Sequence, residues 1–101
     1  MEANKILLEA IARRICVEAS YNRMAVKLAP HILYTRHGDL FVDAVTVERE
    51  GKPPREIKIG TFKLAGLDVR GLTDREFDVN DAFDPANDKY DGVTLFAVEA
   101  A

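Results

Sequence analysis

The chain has no tryptophan, a single cysteine, a single serine and only two histidines among its 101 residues. A lone Cys16 cannot close an internal disulfide, which fits a reducing compartment. Nucleophilic catalysis needs Ser, Cys or Thr beside an oriented base, and Ser20 and Cys16 both fall on the polar parity of one strand. The sequence therefore predicts a binding protein and not an enzyme. His31 and His37 lack a second ligand pair at metal spacing. His37 beside Gly38 reads as a turn residue, and His31 as a half-exposed strand residue. The carboxylates and amide at Asp78, Asn80 and Asp84 fail the calcium-loop pattern, because a loop starting at Asp78 would need glycine where Phe83 stands. Glycine-rich phosphate loops are missing too, so neither a metal nor a cofactor is expected. Apolar runs such as Ile6-Leu7-Leu8 are far shorter than the roughly 20 residues that span a bilayer. Met1-Glu2-Ala3-Asn4-Lys5 has no secretory-signal pattern, so the expected location is the cytoplasm, away from membranes.

What is present suits one globular domain over residues 1–101, with 48% apolar and 31% charged residues. The net charge of -3 is unevenly placed. Residues 1–70 hold 12 Lys and Arg against 9 Asp and Glu, whereas residues 71–101 hold 2 against 8. A mildly basic body thus precedes an acidic extension from about residue 85.

Hydrophobic periodicity predicts a helix over Asn4 to Arg14, with Asn4 as N-cap and Leu7, Leu8 and Ile11 on one face. From Ile15 the period becomes two, and Ile15, Val17, Ala19 and Tyr21 line one side of a strand. Asn22-Arg23 turns the chain. Val26, Leu28, Ile32 and Tyr34 continue an alternating strand that Pro30 makes an edge or a bend. Arg36-His37-Gly38-Asp39 is a tight turn. Leu40 to Glu48 is apolar on both parities, as expected of a central strand covered on two sides, with Phe41 buried in it. After a loop at Gly51-Lys52-Pro53-Pro54, Ile57 and Ile59 mark one strand and Phe62, Leu64, Leu67 and Val69 another. Gly60 and Gly66 are placed to curl the sheet. The state of residues 73–79 is ambiguous, since capping-box spacing competes with alternation at Phe77 and Val79. Val93 to Val98 composes a last strand able to pair with an edge or a partner. The expected fold is mainly β (α+β), a small antiparallel barrel of about five strands with an N-terminal helix.

A basic and aromatic set remains: Tyr21, Arg23, Tyr34, Arg36, Phe41, Arg55, Lys58 and Lys63. Aromatic rings beside guanidinium groups can stack bases and pair phosphates, which is how nucleotides and single strands are held. On parity, Tyr21, Tyr34 and Phe41 also suit a core.

The order of segments resembles the WYL domain, an SH3-like β-barrel of bacterial transcription regulators and anti-phage controllers, over roughly residues 8–84. Ala10 to Tyr21 is similar to the family's helix end and first strand, and Val26-Lys27-Leu28-Ala29-Pro30 to its strand reaching a proline. Gly38-Asp39-Leu40-Phe41-Val42 stands where the family has a glycine turn and Trp-Tyr-Leu. Arg55-Glu56-Ile57-Lys58-Ile59-Gly60-Thr61-Phe62 is similar to its Arg-x-Phe-x-Leu-x-Arg-Ile strand, with Thr61 in place of the second arginine. Thr73-Asp74-Arg75-Glu76-Phe77 and Phe83-Asp84-Pro85 look like its closing segment.

The resemblance implies a stand-alone WYL-like regulatory module that senses a nucleotide or nucleic-acid fragment, linked to transcriptional or phage-defence control. It assigns Arg55 to the ligand, and the basic and aromatic set adds Tyr21, Arg23, Arg36, Phe41 and Lys58 as expected ligand-binding residues. Losing the family's tyrosine hydroxyl at Phe41 and its guanidinium at Thr61 removes donors for a polar ligand, while apolar replacements keep a core. The alternative is an SH3-like protein-interaction or dimerisation domain, with a partner protein or second copy in place of a small ligand. Carboxylates at Asp81, Asp84 and Asp88 are further expected to fold over the basic body and compete with an anionic ligand.

Overall fold

The computed structural model describes residues 2–99. One helix, α1 (Glu2–Arg13), precedes five strands: β1 (Ile15–Tyr21), β2 (Met24–Arg36), β3 (Asp39–Arg49), β4 (Ile59–Lys63) and β5 (Leu67–Glu76). A 3₁₀ turn at Leu64–Gly66 joins β4 to β5. A second 3₁₀ turn at Asp88–Tyr90 leads into a short last strand, β6 (Thr94–Ala97).

The strands form one antiparallel sheet in the order β4-β3-β2-β1-β5, with β6 added to β2. The fold is thus mainly β with one helix, as the sequence predicts. Its path ends at β4 on one side and β5 on the other. Among the described residues no pairing closes it into a barrel.

Tight two-residue turns set the register of the hairpins. Asn22 and Arg23 both take positive φ (51° and 64°), as do His37 and Gly38 (52° and 82°). Those angles match turns whose twist follows that of the flanking strands.

β2 is the centre of the sheet, where the sequence suggests β3. Its first half pairs β1 up to Leu28, and its second half pairs β6 from Ile32. Pro30 lies in the gap between those partners, where a missing N–H costs least on that side. The ladder to β3 also slips between Pro30 and Ile32. This bulge reverses the facing of the strand. Val26 and Leu28 pack with α1 in the main core, but Ile32 and Tyr34 belong to a separate cluster with Tyr90, and Leu33 takes the helix-facing side. The unbroken alternation through Tyr34 expected from sequence is corrected accordingly.

On α1, Leu7, Ala10 and Ile11 are fully buried, at helical spacing, against β1, β2 and β5. Leu8, expected on that face, is 38% exposed instead. Asn4 lies inside the helix and is not its cap. Arg14 ends the helix at φ 55°, and its carbonyl accepts the Phe77 N–H at 2.9 Å.

Residues Val42 to Val45 are buried in succession, as a strand covered on two sides requires. Phe41 is only half-buried, correcting the expectation of a buried ring, because it sits near the turn end of the β2–β3 hairpin. Ile57 lies outside β4 and is 62% exposed. Phe62 joins Ile59 in β4, and Leu67 and Val69 lie in β5. Residues 73–76 complete β5, where the Thr73 hydroxyl donates to the Cys16 carbonyl at 2.8 Å.

Candidate functional site

The residues following β3 build a cationic groove. Arg49 and Lys52 exchange backbone hydrogen bonds, N–H to carbonyl, at 2.7 and 2.9 Å. The intervening Glu50 and Gly51 take positive φ. Glu50 also ties this turn to β2, since its N–H donates to the Ala25 carbonyl at 2.8 Å and its carboxylate accepts the Ala25 N–H at 3.2 Å. Pro53 and Pro54 then stiffen the backbone as it turns toward β4. Arg49, Lys52, Arg55 and Lys58 rim a groove of about 570 Å³ whose floor includes Thr46 and Gly60. Only Glu56 opposes these four cations, and it lies 3.9 Å from Lys58 with both side chains well exposed. A pair so open to water is weak. The groove lining therefore carries a surplus of three positive charges, an arrangement that attracts phosphates.

Of the residues assigned to ligand binding from sequence, Arg55 and Lys58 share this groove. Arg23 lines a neighbouring cleft of about 440 Å³ in which Arg23, Lys27 and Arg70 face Glu18, Glu48 and Glu50, so charge there is balanced. Arg36 sits at the opposite end of β2, exposed on the turn to β3. Tyr21 packs edge-on against Phe62 at 5.1 Å beside the main core. Phe41 stacks on Tyr34 at 6.0 Å in the cluster around Tyr90. The basic and aromatic groups thus do not converge on one surface. Arg49 and Lys52, which the sequence reading passed over, complete the cationic set. Their adjacency to the Gly51 turn is the signal that could have singled them out.

A second polar cluster was not legible from sequence. Asp43, on β3, is almost wholly buried. Its Oδ1 accepts the Tyr34 hydroxyl at 2.7 Å and the Thr61 hydroxyl at 2.8 Å. Its Oδ2 accepts the Lys89 ammonium at 2.9 Å and the Tyr90 hydroxyl. Lys89 also lies over the Tyr34 and Tyr90 rings, 5.8 and 5.2 Å from their centroids. Burial pushes the Asp43 carboxyl upward, but the hydrogen bonds from Tyr90, Tyr34, Lys89 and Thr61 outweigh it and hold the group below its usual value. Burial and the bond to the carboxylate push Tyr34 up to about 12 and Tyr90 upward as well.

His31, expected to be half-exposed, is fully buried. Its Nδ1 lies 2.8 Å from the Ala29 carbonyl, and its Nε2 accepts the Asn80 N–H at 2.9 Å. Those partners require the neutral tautomer with hydrogen on Nδ1. Phe77 and Phe83 lie against the ring at 5.1 and 5.2 Å. Cys16 is buried, and burial pushes its thiol up, away from the reactive thiolate. Among the described residues no group of three or more His, Cys, Asp or Glu could hold a metal ion.

The C-terminal segment is part of the core. Tyr90 and Val98 are buried, and the Val98 N–H donates to the His31 carbonyl at 2.7 Å. None of Asp81, Asp84 and Asp88 lines the cationic groove, which departs from the expected acidic flap. Asp84 instead accepts the N–H of Ala86 within its own loop, at 2.9 Å. Among the described residues no helix is long and apolar enough to cross a membrane. No protein-family model, curated protein or solved structure matches the chain.

Proposed function

We propose that the chain is a regulatory binding module for a phosphate-bearing ligand, a nucleotide or a nucleic-acid fragment, held in the groove of Arg49, Lys52, Arg55 and Lys58. The observation that carries this reading is the surplus of three charges there. Guanidinium forks at Arg49 and Arg55 suit phosphate oxygens in bidentate geometry, while Lys52 and Lys58 add mobile point charges. The WYL resemblance supports the same ligand class and links it to control of transcription or phage defence. Thr61, at the position of the family's second arginine, is engaged with Asp43, so phosphate contacts fall to Arg55 and its neighbours.

The competing reading is a protein-interaction or dimerisation module, favoured by the unpaired outer edges of β4 and β5 and by exposed Ile57. Salt separates the two. Fluorescence anisotropy with short single-stranded DNA, RNA and nucleotides is expected to give binding that weakens with salt. For about three phosphates engaged on a single strand, log K should fall with log salt at a slope of about -2. An apolar protein interface changes little over the same range. Absence of binding to every one of these probes at about 50 mM salt rejects the phosphate reading.

A further inference from the structure

The segment between β5 and β6 crosses the sheet as a strap with two polar anchors. The first is His31, whose Nε2 holds the Asn80 N–H while Phe77 and Phe83 pack on the ring. The second is Asp43, which holds Lys89 and Tyr90. Between them the strap's hydrogen bonds are largely local. Asn80 Oδ1 accepts from Ala82 N–H, Asp84 Oδ1 from Ala86 N–H, and Asn87 Oδ1 from Lys89 N–H. The stretch can therefore lift without breaking its own turns.

We propose that the strap has an acid-released half: mild acid puts a proton on His31 Nε2 and frees residues 78–87 from the sheet, while Lys89 and Tyr90 stay fixed on Asp43. A protonated Nε2 is a donor facing the Asn80 N–H donor, so the bond that ties the strap becomes a repulsion. The ring is fully buried with Phe77 and Phe83 against it, so the new charge has no exposed surface. The charged groups near it come from three elements. Asp43, on β3, favours the proton, and Arg75 and Glu76 of β5 and Asp78 at the start of the strap share a cavity with the ring. Burial outweighs the Ala29 carbonyl and the Asp43 charge and keeps the imidazole below 6.5. The second anchor keeps its charge through this range, because Asp43 is held below 3.8. Only the His31 end responds.

The expected linkage is a loss of strap docking of up to tenfold per pH unit, from about pH 6.5 down to the lowered native value. Amide-resolved NMR of the whole chain between pH 7.5 and 4.5 reads it directly. The Asn80 amide should lose protection, and Asn80 and Phe83 should lose dispersion, with one midpoint below 6.5, together with the ¹⁵N shift that marks protonation of His31. Tyr90, Val93 and the β1–β3 amides should keep theirs. His31→Gln, which can accept a hydrogen bond but does not titrate, should abolish the midpoint. Should that variant fail to fold, His37→Asn tests the same point from the other side, since it removes the second histidine and should leave the midpoint in place. Retention of the strap at pH 4.5, its loss together with the whole sheet, or a midpoint that vanishes in His37→Asn would each overturn the proposal.

Discussion

The Tyr90 hydroxyl donates to the carboxylate of Asp43, a residue 47 positions earlier in the chain and nearly closed off from solvent. With Lys89 on the same oxygen, this contact fixes the C-terminal segment to the centre of the sheet. A charge buried in this way is stable only while its donors remain. Asp43→Ala should orphan two phenols, a threonine hydroxyl and an ammonium, and lower stability by about 3 to 5 kcal/mol. Tyr90→Phe removes one bond to a charged acceptor and should cost about 1.5 to 3 kcal/mol. Urea unfolding of both variants checks the ratio, and equal losses would mean that Tyr34, Thr61 and Lys89 add nothing to the Asp43 cluster beyond the Tyr90 bond.

Tyr34 and Phe41 stack on one another but differ in burial, and that difference should appear in their alanine variants. Tyr34 is fully enclosed, so Tyr34→Ala should cost about 3 to 5 kcal/mol through lost burial and the cavity left behind. Half-buried Phe41 removes less area from water, and Phe41→Ala should cost about 1 to 2 kcal/mol. Denaturant melts that rank Phe41 above Tyr34 would contradict the placement of the hairpin end.

Alkaline titration should expose the same cluster. The native pKa of Tyr34 is raised to about 12 and that of Tyr90 is raised too, whereas the unfolded phenols ionise near 10. A raised native pKa means that the unfolded chain releases its protons first, so the stabilisation is complete below pH 10 and is lost as pH rises toward 12. Thermal melts between pH 8 and 11.5 should show this decline, and a Tyr34→Phe, Tyr90→Phe double variant should flatten it. For Asp43 the sign is reversed. Its contribution holds above pH 3.8 and disappears as pH falls through the lowered native value.

The period-two pattern at Ile15–Tyr21 and the turn chemistry of Asn22-Arg23 and Arg36-His37-Gly38-Asp39 placed the first three strands correctly, because backbone sterics and alternation are local. What local patterns miss is a change of facing without a change of pattern. The bulge after Pro30 moves Ile32 and Tyr34 into a cluster of their own, and Asp43 looks like a solvated residue until Tyr34, Thr61, Lys89 and Tyr90 meet it from three segments. The acidic composition of residues 71–101 likewise hid one lysine and one tyrosine that carry the contact. Arg55 and Lys58 were legible as a basic pair, but their partners Arg49 and Lys52 join them only through the backbone pairing around Gly51.

Placement of the arginines gives the groove its most selective test. Arg55 lines the groove with Arg49, Lys52 and Lys58, whereas Arg36 lies at the other end of the β2–β3 hairpin, paired with Asp39 in the ladder. Asp39 and Arg49 bound β3, whose length at about 3.3 Å per residue separates the two sites by roughly 30 Å. That is about three Debye lengths at 0.1 M salt, so Arg36 cannot steady an anion held in the groove. Arg55→Ala should weaken an oligonucleotide or nucleotide by about 1.5 to 3 kcal/mol, through loss of a charge-assisted bond. Arg55→Lys should fall between, because an ammonium lacks the bidentate fork. Arg36→Ala should leave Kd within about twofold at this ionic strength. Arg23→Ala should also have little effect, since its cleft balances three cations against three carboxylates. Anisotropy titrations of the four variants under one buffer check the order. If Arg36→Ala weakens binding as much as Arg55→Ala, the ligand does not sit in the groove.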